Sequence, residues 1–146
     1  ARPAGTDNAP RSRMDNLYIA PTPSSPEVDF QFDTHTLHLR GESYPENAAA
    51  FYGGILARLK DYLAQPQPAQ QQARIEVHIA LAYFNSSSTK MLFNLIEALS
   101  GAAEAGRPVA LHWYHDEEDD TICEFGEELR DDFPAIAFTG HPVKAA

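Results

Sequence analysis

A run of amide and hydroxyl side chains, Asn85-Ser86-Ser87-Ser88-Thr89-Lys90, joins the two segments of the sequence that are expected to be buried, Ile75–Phe84 and Met91–Leu99. Serine-rich runs are typical of flexible linkers, yet this one follows a strand-like segment and precedes a helix-like one. Asn85 or Ser86 is suited to cap the helix, whose free N–H groups and dipole attract anions. Three serines and a threonine exceed what a cap requires. The run therefore predicts either a plain helix cap or a site that carries a phosphate group.

A nucleophilic serine is the enzymatic alternative at this junction. The Gly-x-Ser-x-Gly turn of hydrolases does not surround these serines, and the phosphate-binding sequence Gly-x-x-x-x-Gly-Lys-Ser/Thr is absent from the chain. The sequence therefore disfavours hydrolase or nucleotidase chemistry.

A metal site is a second chemical alternative, because His112 and His115 lie beside the acidic run Asp116–Asp120. A spacing of three on a strand places the two imidazoles on opposite faces, and an acidic turn is more often a solvated loop. His78 is expected to be a hydrogen-bonded sheet residue, and Cys123 a packing residue. We therefore expect no catalytic residue, no metal site and no cofactor; a small metal-dependent enzyme or ligand binder remains the alternative from another class.

The charge and composition exclude several functional classes. The 146 residues include 21 acidic and 11 basic side chains, which gives a formal net charge of −10. Nucleic acids and anionic membranes reward Lys and Arg, so neither is an expected partner. The single cysteine cannot form an internal disulfide, and no apolar run approaches the roughly 20 residues of a membrane helix. We expect a cytoplasmic protein that binds a protein or a small ligand.

The N-terminal part of the chain divides into a leader and the start of a domain. Residues 1–13 lack periodicity and are interpreted as a leader or as sequence added for expression, so residues 14–146 form the predicted single domain. A short strand is expected at Asn16–Ile19. Alternating apolar residues between Val28 and Leu39 predict a hairpin.

Helices alternate with strands in the rest of the sequence. The first helix follows a turn at 41–47 and ends near Ala64, the second carries the apolar stripe from Met91 to Leu99 and ends at Gly101 or Gly106, and the third follows an aspartate cap in the acidic turn. The strands between them are predicted at 75–84, 108–115 and 136–138, and a polar surface connector at 65–73. In the strand at 75–84, alternation predicts that Tyr83 lies on the same face as Leu81 and that Phe84 lies on the opposite face. The order predicts an α/β fold whose mixed, largely parallel sheet has an N-terminal β-hairpin and three or more helices.

Right-handed crossovers place the turns that follow parallel strands at one edge of the sheet. The rim predicted in this way combines Glu42–Asn47, Asn85–Lys90 and His115–Asp120. Its first segment either simply starts a helix or contributes to a contact surface. A protein partner that docks on the rim would therefore meet the serine junction.

Several motifs, taken together and in order, resemble the SiaC family of regulatory phosphoproteins. The resemblance spans Met14 to Pro142 and implies a STAS-like fold and a non-enzymatic switch. The residues that carry it are Ser43-Tyr44-Pro45-Glu46-Asn47, Tyr83-Phe84-Asn85-Ser86-Ser87-Ser88-Thr89-Lys90, Gly106-Arg107-Pro108-Val109 with Trp113-Tyr114-His115-Asp116, and the helix Glu124–Glu128.

The resemblance also implies the partners of the switch. In the family, a SiaB-type Ser/Thr kinase phosphorylates the protein and a SiaA-type PP2C phosphatase removes the phosphate. The unphosphorylated form binds and activates a SiaD-type diguanylate cyclase, which links the switch to cyclic-di-GMP and to biofilm formation or aggregation. An antagonist of an anti-sigma factor would use the same serine against a different partner and remains the alternative within this class.

The resemblance assigns the phosphate acceptor to the hydroxyl residue directly after the asparagine, which is Ser86. Its neighbours Ser87, Ser88 and Thr89 rank behind it as acceptors. The rim and the resemblance together give a set of expected partner contacts: Tyr44, Pro45, Glu46, Asn47, Asn85, Ser87, Ser88 and Lys90.

Overall fold

The computed structural model describes residues 15–65 and 73–144, which form one six-stranded sheet and three α-helices. Strand pairing is antiparallel from β1 to β3 and parallel from β3 to β6. The predicted mixed α/β fold with its N-terminal hairpin is confirmed. In sheet order the strands are β1 (Leu17–Ile19), β2 (Glu27–Gln31), β3 (Thr36–Ser43), β4 (Ile75–Phe84), β5 (Val109–Asp116) and β6 (Ala137–Val143), and the helices are α1 (Ala48–Leu63), α2 (Ser86–Glu104) and α3 (Asp120–Asp132).

The helices pack against one face of the sheet. Alternate side chains of β3, β4 and β5 are buried together with the apolar stripes of α1, α2 and α3. Successive parallel strands joined by right-handed crossovers place their connecting helices on the same side. Within the described ranges the opposite face, called the open face below, has no helix over it and carries half-buried polar side chains. These include Asp29, His38, Arg40, Glu76, His78, His112 and Tyr114.

Side-chain caps begin the helices. Asn47 accepts a hydrogen bond from the N–H of Ala50, Asn85 accepts one from Ser88 and Asp119 accepts one from Ile122, at 3.0, 2.9 and 3.1 Å. The predicted caps of the second and third helices are therefore confirmed. Helix α1 ends at Leu63, next to its predicted end at Ala64. Helix α2 continues past Gly101, one of its two predicted ends, and ends before Gly106, which adopts a φ of +110° that suits glycine.

A buried arginine connects the elements at the sheet edge where β4 and β5 begin. Arg107 donates from Nε to the carbonyl of Ala73 at 2.7 Å and from Nη2 to the hydroxyl of Tyr62 at 3.1 Å. The same hydroxyl lies 2.6 Å from Nδ1 of His35. Since His35, Ala73 and Arg107 precede β3, β4 and β5, the cluster fixes α1 against the starts of these strands.

The last strand is longer than predicted. Strand β6 runs over seven residues, Ala137–Val143, and not only 136–138, because its mostly exposed edge position accommodates Gly140 and Pro142 without an apolar pattern. The predictions for residues 1–13 and for 66–72 of the polar connector lie outside the described residues. No helix within the described ranges has both the length and the apolar character needed to cross a bilayer.

Replacing Gly126 by alanine should lower the free energy of unfolding by about 1–3 kcal/mol, the usual cost of overpacking. A Cβ atom there would lie 2.5 Å from Cδ1 of Trp113. Trp113 is buried, and its Nε1 donates to the carbonyl of Ile122 at 2.9 Å, so the ring is held in place. Urea unfolding would measure the change.

The matched control is Gly54→Ala in α1, where no atom lies within 4 Å of the added Cβ. Alanine in an exposed helix interior should stabilise by about 0.5–1 kcal/mol. Equal stabilities of the Gly126 and Gly54 variants would contradict the tight packing at Trp113.

Candidate functional site

The predicted rim contains a β-bulge where β3 and β4 end. Gly41 pairs with Leu81, but Glu42 pairs with Tyr83, so Ala82 is an extra residue in β4. An extra residue reverses the alternation of the side chains that follow it. The last two side chains of β4 therefore point opposite to the directions that simple alternation predicts.

The bulge brings two tyrosines together at the surface. Phe84 packs on the helix side, with its ring centroid 5.0 Å from that of Phe125, so its predicted grouping with the opposite face is wrong. Tyr83 is 51% exposed, and its predicted place beside buried Leu81 is also wrong. Its ring lies edge-on to that of Tyr44, 5.8 Å away, and Tyr44 is itself 39% exposed. The sequence pattern does not predict Tyr83 at the site, because the bulge leaves no local sequence signal.

Three buried hydroxyl groups connect β3, α1 and α2 beneath this surface. Ser43 donates from Oγ to Oγ of Ser88 at 2.8 Å, and Ser88 donates in turn to the carbonyl of Ser43 at 3.0 Å. Tyr52 OH lies 2.6 Å from Oγ of Ser43 and is the donor, because the Ser43 proton is already used. Burial raises the pKa of Tyr52 to about 12, so this hydroxyl keeps its proton.

The asparagine at the junction completes the start of α2. Its backbone N–H donates to the carbonyl of Ser43 at 3.0 Å, and its side chain accepts the N–H of Ser88. The carbonyl of Asn85 accepts both the N–H and the hydroxyl of Thr89, at 3.0 and 3.1 Å. The first turn of the helix is therefore held to the end of β3 by backbone and side-chain bonds.

These bonds divide the four candidate hydroxyls into two groups. Ser88 is fully buried, and Thr89 is half-buried and bonded to the backbone. Ser86 and Ser87 are exposed at the first two positions of α2. Lys90 is exposed and follows Ser86 by four residues, a spacing that places both side chains on one helix face. Exposure thus favours Ser86 and Ser87 as acceptors, and burial removes Ser88 from the expected contact surface.

The remaining rim segments occupy the same edge of the sheet, as predicted from the parallel order of β3, β4 and β5. Tyr44 is attached through its N–H to the carbonyl of Ser24 at 2.7 Å, and Glu46 and Asn47 are exposed beside half-buried Pro45. The acidic turn follows β5, where Asp119 caps α3 as described above. The edge therefore carries an exposed aromatic pair among polar side chains near the serines and is acidic after β5.

The two histidines of the predicted metal alternative lie on opposite faces of β5, as expected from their spacing. His115 lines a cavity between α3 and β6 together with Trp113 and Cys123. His112 lies on the open face. Burial and the acidic side chains of α3 raise the pKa of the Cys123 thiol, which is consistent with its expected unreactive role.

A row of stacked imidazoles crosses the open face. The rings of His38, His78 and His112 are neighbours in the strand register, with successive centroids 4.6 Å apart and nearly parallel planes. Burial and the adjacent imidazoles lower the pKa of His78. One ligand atom each from Glu76, His78 and His112 lies within 4.8 Å of the others, so this group could hold a metal ion. In the sequence His112 is near His115 alone, and its neighbours Glu76 and His78 meet it only through the register of β4 and β5, so the sequence pattern does not reveal them.

Comparison with known proteins identifies the family of the chain. Residues 19–143 match the family described as SiaC family regulatory phosphoprotein. An uncharacterised protein of Pseudomonas aeruginosa strain UCBPP-PA14 is 32% identical over 119 residues, which cover 82% of this chain and 90% of that protein.

Solved structures give the same result. The crystal structure of apo-SiaC from Pseudomonas aeruginosa is similar with a TM-score of 0.78 and 30% identity, over 88% of this chain and 99% of that one. A chain in the crystal structure of the diguanylate cyclase SiaD in complex with its activator SiaC, from the same organism, is similar with a TM-score of 0.74 and 32% identity. That match covers 86% of this chain and 99% of the other.

The Ser88→Ala variant should lower the free energy of unfolding by about 1–3 kcal/mol, because the buried Ser43 hydroxyl loses its acceptor. Ser87→Ala is the matched control. Its exposed side chain should change stability by no more than about 0.5 kcal/mol. Urea unfolding of both variants would measure the difference, and a Ser88 variant as stable as the Ser87 variant would show that the hydroxyl network does not hold the helix start.

Proposed function

Since this chain belongs to the SiaC family of regulatory phosphoproteins, we propose that phosphorylation of Ser86 switches its binding to a protein partner. The observation that carries the proposal is the position of this hydroxyl. Ser86 is exposed at the first residue of a helix whose start is fixed from below, beside the exposed Tyr44–Tyr83 pair. A modifying enzyme can reach Ser86, and a docked partner would cover it.

The proposed partners are those expected for the family. A SiaB-type kinase adds the phosphate, a SiaA-type PP2C phosphatase removes it, and the unphosphorylated form binds and activates a SiaD-type diguanylate cyclase. The complex of SiaD with its activator SiaC supports the cyclase as the partner class. In this proposal the protein acts in the cytoplasm as a regulator of cyclic-di-GMP synthesis and catalyses no reaction itself.

The proposed docking surface is the rim around Ser86. Exposed aromatic side chains are enriched at protein interfaces because they bury a large area with few rotatable bonds, and Tyr44 and Tyr83 offer such a pair. Ser88 is left out because it is buried. The other residues proposed to contact the partner, around the two tyrosines, are Pro45, Glu46, Asn47, Asn85, Ser87 and Lys90.

The charge of the phosphate explains how the modification would end binding. A phosphoserine carries about −1.5 to −2 charges near neutral pH. On the free protein, the first turn of α2 and the exposed Lys90 can accommodate that charge. In a complex it would be removed from water beside two tyrosine rings, and an unpaired buried charge costs several kcal/mol. Each 1.4 kcal/mol weakens binding about tenfold.

The Ser86→Asp variant and the protein phosphorylated at Ser86 should bind a purified SiaD-type cyclase at least about tenfold more weakly than unmodified protein, because each adds negative charge to the interface. Ser86→Ala should retain binding and activation. Isothermal titration calorimetry would measure affinity, and the rate of cyclic-di-GMP formation would measure activation. Full affinity of the phosphorylated protein would overturn the proposed switch.

Two controls test which hydroxyl accepts the phosphate and whether an added negative charge weakens binding only at the rim. A purified SiaB-type kinase should incorporate phosphate into Ser87→Ala but not into Ser86→Ala, as measured by intact mass. Ala57→Asp adds the same charge at an exposed position within α1, away from the rim, and should bind normally. If Ser86→Ala were still fully phosphorylated, the acceptor assignment would be wrong even if the switch itself were correct.

A further inference from the structure

We propose that Glu76, His78 and His112 form a binding site for Zn²⁺, or for a similar late first-row divalent metal ion, on the open face of the sheet. The three side chains are separate from the serine junction and play no part in the proposed partner switch. Two imidazoles and a carboxylate are a donor set that Zn²⁺ uses in proteins with three protein ligands and an exchangeable water.

The backbone places the three ligands on one surface. Glu76 and His78 are two residues apart on β4, so both point to the same face. His112 lies directly across from His78 on β5 in the parallel register. Both strands lie inside the sheet, with a neighbouring strand on either side, so their spacing is set by backbone hydrogen bonds. The ligand positions are therefore fixed by regular secondary structure and not by loops.

The distances require little movement for metal binding. The ligand atoms lie within 4.8 Å of one another, and Nε2 of His112 is 2.9 Å from Oε1 of Glu76. Ligand atoms bonded to Zn²⁺ at about 2.0–2.2 Å in a tetrahedral site lie about 3.3–3.6 Å apart. Rotation of partly exposed side chains by about an ångström closes this difference, without movement of the strands.

Hydrogen bonds to the Nδ1 atoms of His78 and His112 leave their Nε2 atoms for the metal. Nδ1 of His78 lies 3.0 Å from the hydroxyl of Tyr114, and Nδ1 of His112 lies 2.9 Å from Nε2 of His141. Metal-binding histidines usually donate their second ring N–H to an acceptor, which fixes the tautomer and the ring orientation, and the Tyr114 hydroxyl and the His141 ring nitrogen can each accept such a bond. In both histidines Nε2 is then the atom offered to the metal.

The carboxylate is oriented by a separate contact. Arg74 donates from Nε to Oε2 of Glu76 at 2.8 Å, while Oε1 faces His112. Glu76 can therefore bind a metal through one oxygen and retain the arginine contact through the other. A metal held there would connect β4 to β5 and, through His141, would be linked to β6.

Calorimetric titration of Zn²⁺ into chelator-treated full-length protein would test the site. Unmodified protein should bind one equivalent. Loss of an outer-shell partner typically weakens metal binding by ~10- to 100-fold, and His112→Gln and Glu76→Gln, which each remove a ligand, should weaken it by at least as much. His141→Gln should weaken it within that range while retaining one equivalent. Co²⁺ in place of Zn²⁺ should give visible absorption of a four-coordinate site, and the His112 variant should lose it.

The matched control is His38→Gln, which removes an imidazole from the same stacked row without removing a ligand. It should bind Zn²⁺ as tightly as unmodified protein. Far-UV circular dichroism would show that each variant is folded, and His78→Gln provides a second ligand variant if one does not fold. Absence of Zn²⁺ binding by unmodified protein, or equal affinity of the ligand variants and the His38 variant, would overturn the site.

Discussion

The hydrogen bonds among Ser43, Tyr52 and Ser88 are the interaction on which the proposed switch depends. They satisfy three buried hydroxyls that have no access to water, and an unsatisfied one would cost about 1–3 kcal/mol. A small domain is stable by only about 5–15 kcal/mol, so the network is a substantial part of the total. Because it joins the end of β3 to α1 and α2, it decides which hydroxyls of the serine run face inward. The exposed position of Ser86 follows from the burial of Ser88.

The bulge at Ala82, near the end of β4, is the second constraint on the same edge of the sheet. One extra residue directs Phe84 into the core and turns Tyr83 to the surface beside Tyr44. Regular alternation would have buried Tyr83 and exposed Phe84, leaving no tyrosine pair beside Ser86. The bulge therefore supplies the aromatic surface, and the hydroxyl network supplies the fixed helix start next to it. Bulges often redirect side chains in this way at functional sites.

The sequence predicted those features that depend on neighbouring residues. Helix α2, a cap at Asn85 or Ser86 and the buried alternation of β4 up to Leu81 were predicted from local patterns, and the structure confirms them with Asn85 as the cap. The bulge was not predicted, because register depends on the partner strand and one inserted residue changes no composition. The stacked histidines were missed for a related reason: His38, His78 and His112 are far apart in sequence and meet only through the register of three strands.

Strand β4 connects the two proposed sites, because it carries Glu76 and His78 near its start and ends with Tyr83 and Phe84, just before Ser86. His78 lies about 20 Å along the strand from Phe84, at about 3.3 Å per residue. Coupling between distant sites requires an element with two discrete arrangements that both sites bias. Strand β4 is paired with β3 from Glu76 to Phe84 and with β5 from Ile75 to Ala80, and it is buried on its helix face as far as Leu81, so no second arrangement is evident within it. A metal at Glu76 and His78 would therefore stabilise the sheet as a whole, and phosphate at Ser86 would act directly on the partner surface, independently of the metal.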